Sequence, residues 1–124
     1  MICVDANVII DILLSRKNAA ACETYLTTAS ETLAITTLTL DLVTYYAERQ
    51  KLILTQVQQF LTTFVWLPVT ADDATWSFSH FKGDGYEDGL QIGCAVREQC
   101  SRFVTLDRGL AKKYAQQLKI DLLG

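Results

Sequence analysis

Three aspartates in this chain stand where a side chain can meet chemistry. Asp5 follows the apolar triplet Ile2-Cys3-Val4, Asp107 follows Arg102–Thr105 after one residue, and Asp88 opens a helix-patterned stretch. Carboxylates brought close together repel, so they coexist only with a cation or a shared proton. The sequence has one histidine, His80, and cysteines at 3, 22, 94 and 100 with no Cys-x-x-Cys pair. That disfavours a zinc site or a thioredoxin-like motif. An all-oxygen donor set instead suits Mg²⁺ or Mn²⁺. Such an ion lowers the pKa of a bound water and stabilises in-line displacement at phosphorus. The acids thus point to metal-dependent phosphodiester or phosphoryl chemistry. Each aspartate alone also has a plainer reading, as the cap of the helix that follows it.

For acids so far apart in sequence to meet, the elements between them must carry them to one edge. Ile2–Val4, Leu33–Ile35, Val65–Val69, Arg102–Thr105 and Ile120–Leu123 read as short strands. The first is apolar throughout, as in the middle of a parallel sheet, and Pro68 suggests an edge for the third. Helical spacing fills the intervals: Val8–Leu14, Asn18–Ala29, Leu40–Lys51 behind Thr39 as N-cap, and the stripe Leu54, Val57, Phe60, Leu61, Phe64. Ala71–Phe81, Glu87–Glu98 and a last long helix through Leu110, Tyr114 and Leu118 follow. Alternation of this kind implies right-handed crossovers and a mostly parallel α/β sheet covered on both faces. Ligands of such sheets bind outside the carboxyl ends of the strands, where Asp5 and Asp107 fall.

Composition bounds the rest. A chain of 124 residues is expected to form one domain over 1–124. Hydrophobic residues at 50% and charged residues at 20% exclude intrinsic disorder, and Gly 6 with Pro 1 excludes collagen-like and linker-rich classes. A net charge of -3 argues against coating nucleic acid by bulk charge. It leaves room for an enzyme that touches nucleic acid at one metal-bearing cleft. The cysteines, set among apolar neighbours, read as small core residues in a reducing compartment. The apolar N-terminus is interrupted by Asp5 and Asp11 with no basic residue before it, unlike a signal peptide. A cytoplasmic protein is expected.

Val4-Asp5-Ala6-Asn7-Val8-Ile9-Ile10-Asp11 resembles the opening motif of PIN domains, apolar-Asp-x-(Asn/Ser/Thr)-apolar. Tyr86-Glu87-Asp88-Gly89-Leu90-Gln91 through Ala95 resembles the helix that supplies their third acid, and Phe103-Val104-Thr105-Leu106-Asp107 their fourth-acid strand. Order and spacing agree over nearly the whole chain. The resemblance implies a three-layer α/β/α sandwich and Mg²⁺- or Mn²⁺-dependent endoribonuclease activity, often as the VapC-type toxin of a toxin–antitoxin pair. It implies Asp5, Asp88 and Asp107 as metal-site acids, with Asn7 holding Asp5 or a metal-bound water. It also implies a homodimer and a separate antitoxin chain.

One position departs from the pattern. The second acid of PIN domains, often Glu, belongs where this chain has Leu42, and Asp41 stands one residue early. A one-residue shift turns a helical side chain by about 100°, so Asp41 reaches the site only if that helix is rotated. Otherwise it sits in the first turn and favours the dipole. Glu87 is a second candidate for the missing acid, against a capping role with Asp84. Among the cations near the acids, Arg108 is the leading candidate to position RNA. His80 and the aromatics Trp66, Trp76, Phe78 and Phe81 read as structural. Asp-x-Asp phosphotransferase chemistry lacks its second acid, since Asn7 stands there. The competing reading is an inactive PIN-like scaffold that binds RNA or protein, the missing acid having removed activity.

Overall fold

The computed structural model describes residues 1–124. The strands are β1 (Ile2–Val4), β2 (Leu33–Thr36), β3 (Val65–Leu67), β4 (Arg102–Thr105) and β5 (Ile120–Leu122). The helices are α1 (Ala6–Leu13), α2 (Ala19–Thr28), α3 (Thr37–Arg49), α4 (Leu54–Leu61), α5 (Ala71–His80), α6 (Tyr86–Arg97) and α7 (Arg108–Lys113). The strands form one sheet in the order β3-β2-β1-β4-β5, every pair parallel.

The period-2 alternation of each central strand divides the core into two layers. Ile2, Val4, Ile35 and Val104 point to one face, where residues of α1, α3 and α4 cover them. Cys3, Ala34 and Phe103 point to the other, against Ile92, Cys94, Ala95, Leu110 and Tyr114 of the α6–α7 side. The three-layer α/β/α arrangement follows. All four cysteines are free and buried, as small core residues should be. No helix is long and apolar enough to cross a membrane.

Two departures from the periodicity matter. α3 begins at Thr37 behind Thr36, whose hydroxyl accepts from Thr39 N at 3.1 Å. The N-cap is therefore three residues earlier than Thr39. The last helix stops at Lys113. Tyr114 is 1% exposed and anchored in the core, and the chain leaves the helix there for the edge strand at Ile120. That edge is fastened by Asp121, which accepts from Tyr25 Oη at 2.6 Å and Arg102 Nη1 at 3.1 Å.

Candidate metal centre at the sheet edge

Strand order reverses at β1, which has β2 on one side and β4 on the other. The crevice outside the carboxyl ends of β1 and β4 is the place where ligands of open parallel sheets bind. Register puts Val4 beside Val104, so the next residues, Asp5 and Thr105, face each other. Asp5 sits at the N-cap of α1, yet its carboxylate makes no capping bond. Its Oδ2 accepts from Thr105 Oγ1 at 2.7 Å and its Oδ1 from Gln91 Nε2 at 3.1 Å. The capping reading therefore does not describe Asp5.

The groups behind Asp5 are satisfied in turn. The Thr105 hydroxyl spends its one proton on Asp5 and accepts from Asp107 N at 3.0 Å and Asn7 Nδ2 at 3.3 Å. Asn7 Oδ1 accepts from Leu106 N at 3.2 Å. Asn7 thus braces Asp5 through Thr105, without touching it. Gln91 Oε1 accepts from Thr39 Oγ1 at 2.7 Å and from Thr36 Oγ1 at 3.3 Å. Burial pushes the Asp5 carboxyl above its usual range, the bonds from Thr105 and Gln91 pull it back, and the charge of Asp107 adds to the rise.

Asp88 and Asp107 line an open cleft of about 600 Å³ together with Asp84, Gly85, Lys112 and Lys113. Asp88 stands in the first turn of α6. Its carboxyl is pushed up to about 6, first by burial and then by the charges of Asp5 and Asp107, with Lys113 pulling the other way. Asp107 is the N-cap of α7, and its Oδ1 accepts from Leu110 N at 3.1 Å. For Asp107 the capping role holds, and the other carboxylate oxygen is left for the cleft. Lys113 reaches across from α7, donating to the Asp84 carbonyl at 3.0 Å and lying 3.4 Å from Asp84 Oδ1.

No three Asp, Glu, His or Cys side chains stand close enough to ligate one ion directly. The donor chemistry nonetheless fits Mg²⁺ or Mn²⁺. The groups are all oxygen, they repel one another, and Mg²⁺ keeps several waters while taking one or two carboxylates.

The remaining residues singled out by sequence lie as follows. Asp41 is exposed and lines a separate groove between α3 and α4, beside Tyr45, Leu54 and Trp66. With α3 capped at Thr36, its phase turns Thr39 toward Gln91 and Asp41 away from the cleft. Glu87 is exposed, and its charge adds to the push on Asp88. The Asp84–Glu87 capping pair does not form, because Gly85 at φ 84° is the N-cap and no side chain bonds there. Arg108 is exposed and outside the cleft lining, where Lys112 and Lys113 stand instead. His80 stacks on Trp76 with ring centroids 3.7 Å apart, a structural position. Four polar residues of the site were absent from the sequence candidates: Thr36, Thr39, Gln91 and Thr105. Gln91 carried a signal, since it lies three residues after Asp88 on a helix face otherwise made of small and apolar residues.

Residues 2–116 match the PIN domain family. A search of curated proteins finds no match. The fold is similar to that of a toxin–antitoxin complex from Klebsiella pneumoniae, with TM-score 0.78 and 18% identity over 98% of this chain and 96% of that one. It is similar to VapC20 of Mycobacterium tuberculosis, a sarcin-ricin loop cleaving toxin, with TM-score 0.76 and 12% identity over 96% and 98%. VapBC2 of Rickettsia felis, solved on a DNA fragment from its promoter, gives TM-score 0.71 and 16% identity over 98% of each chain. With its parallel sheet, its crevice of aspartates and this match along the sequence, the chain belongs to the PIN domain family.

Proposed function

We propose that this chain is a Mg²⁺- or Mn²⁺-dependent endoribonuclease, the toxin of a toxin–antitoxin pair, acting in the cytoplasm. The observation that carries this reading is that Asp88 and Asp107, from distant segments, line one cleft beside the strand end that bears the buried Asp5, with Asp88 pushed up to about 6 by burial and then by the charges of Asp5 and Asp107. A bound divalent ion would supply a water of lowered pKa and neutralise charge developing at phosphorus.

The chain's own residues prepare that centre. Thr105 and Gln91 fix both oxygens of Asp5, so the carboxylate is oriented before any ligand arrives. Asn7 and the Asp107 backbone hold Thr105 in turn. Asp88 and the free oxygen of Asp107 face the open cleft, where an ion and an RNA phosphate can enter. The similar folds solved in toxin–antitoxin complexes support a separate antitoxin chain as partner. A homodimer is part of the same reading, and exposed Tyr45 and Phe78, 54% and 67% exposed, offer apolar surface for it.

The position of Asp41 outside the cleft favours a second reading, in which the chain is a non-catalytic scaffold. Purified protein assayed on varied single-stranded RNAs separates the two. The nuclease reading expects cleavage that requires Mg²⁺ or Mn²⁺ and falls about 100-fold or more in both Asp5→Asn and Asp107→Asn. Wild-type protein inert with either ion across those RNAs overturns the nuclease reading and favours the scaffold.

A further inference from the structure

Two lysines, Lys112 and Lys113, line the cleft, and Lys113 bonds to the Asp84 loop across from its own helix. Lys113 is the last residue of α7, and its side chain is only 32% exposed. Its ammonium crosses to the opposite wall, where it donates to the Asp84 carbonyl at 3.0 Å. Its second partner, the Asp84 carboxylate at 3.4 Å, is 91% exposed, and an ion pair that wet contributes little. An ammonium carries three donors, so Lys113 keeps capacity for another acceptor. The space for one is present. A Cβ at Gly85 would stand 2.7 Å from Lys113 Nζ and 4.0 Å from Asp88 Oδ2. Glycine there leaves the gap between ammonium and carboxylate open.

Resting on the nuclease reading, we propose that Lys113 is a phosphate-positioning residue. Its ammonium holds a non-bridging oxygen of the RNA phosphodiester beside Asp88, and without RNA it serves as resident counter-charge to the acids. The geometry prefers Lys113 to Arg108, which stands outside the cleft lining. Two opposite effects follow from one substitution. Removing the ammonium takes a competing cation away from the acids, so the free protein binds a divalent ion more tightly. It also removes one phosphate contact, so RNA binds less well.

Lys113→Met and Lys113→Arg test this against wild type. The probes are Mn²⁺ alone, followed by electron paramagnetic resonance, and a fluorescein-labelled single-stranded RNA of mixed sequence, titrated in Ca²⁺ over a range of salt. Lys113→Met is expected to bind Mn²⁺ several-fold tighter and RNA about tenfold weaker, with the salt slope of RNA binding shallower by about one ion. Lys113→Arg is expected to restore the slope. In cleavage, Lys113→Met is expected to lower kcat/KM by at least the loss in RNA affinity, and Lys113→Arg to recover most of it. Unchanged Mn²⁺ affinity with an unchanged salt slope overturns the proposal and makes Lys113 a strut for the Asp84 loop. A wild type that binds this RNA but does not cleave it overturns only the nuclease reading, because the salt slope still reads the Lys113 contact.

Discussion

Asp88 differs from its two companions in having no hydrogen-bonding partner of its own, and that difference sets its response to pH. Its carboxyl lies at about 6 against an ordinary 3.8. Between those values the folded chain keeps a proton that the unfolded chain has lost. Stability contributed by Asp88 in the metal-free protein therefore declines as pH rises from about 4 to about 6, and stays low above that. Asp88→Asn removes the penalty. In urea titrations with chelator present, Asp88→Asn is expected to be more stable than wild type near pH 7. The gain shrinks toward zero as pH approaches about 4. A gain independent of pH would trace the effect to packing instead. Thr105 gives the complementary case. Thr105→Val keeps the shape but leaves Asp5 Oδ2, Asn7 Nδ2 and the Asp107 backbone N–H without their Thr105 partner, and the expected loss is about 1–3 kcal/mol by urea denaturation. Thr44→Val is the control. Its hydroxyl only reaches back to Leu40 O at 2.8 Å, so a loss below about 0.5 kcal/mol is expected.

The elements hold these residues by close packing, nowhere closer than between α5 and α6. A Cβ on Gly89 would run into the Ser77 side chain and lie 3.2 Å from Ser77 Cα. At Gly93 it would meet Trp76 Cε3 at 3.0 Å. Ser77 also donates to the Tyr86 carbonyl at 2.7 Å, tying α5 to the first turn of α6 beside Asp88. Gly89→Ala is expected to destabilise the protein by about 2 kcal/mol or more. Adding Ser77→Ala should not rescue it, because backbone as well as side chain is in the way. Full rescue would mean that the helices can slide apart freely. Most strands and helices were legible in sequence from apolar runs and helical spacing, the last helix excepted, which stops at Lys113 although the spacing continues to Leu118, and the strand-end rule located Asp5 and Asp107. The phase of α3 was not legible. It depends on which threonine caps the helix, and Thr36 and Thr39 are equally good candidates until the buried amide of Gln91 selects between them. The bracing of Asp5 was hidden for a related reason. Thr105 and Gln91 lie 100 and 86 residues from it in sequence, and a lone polar residue in an apolar segment does not announce its partner.

At the scale of the molecule, charge is the difficulty. The chain carries a net charge of -3, and the edge where RNA would bind concentrates carboxylates. An RNA backbone approaching it is repelled unless a divalent ion has first reversed the local sign. On the proposed nuclease function, metal binding, folding stability and RNA affinity are linked through the same acids. RNA binding is expected to be barely measurable in chelator and to rise steeply with Mn²⁺. Mn²⁺ should also raise the thermal midpoint by mass action, worth about 2.7 kcal/mol at a hundredfold excess over Kd. Ligation needs Asp88 without its proton, and that proton leaves at about 6. The Mn²⁺-induced shift is thus larger near pH 7 than near pH 5, and it is much reduced in Asp88→Asn at both. Equal shifts at the two pH values in wild type would place the ion away from Asp88, and with it the chemistry assigned to this crevice.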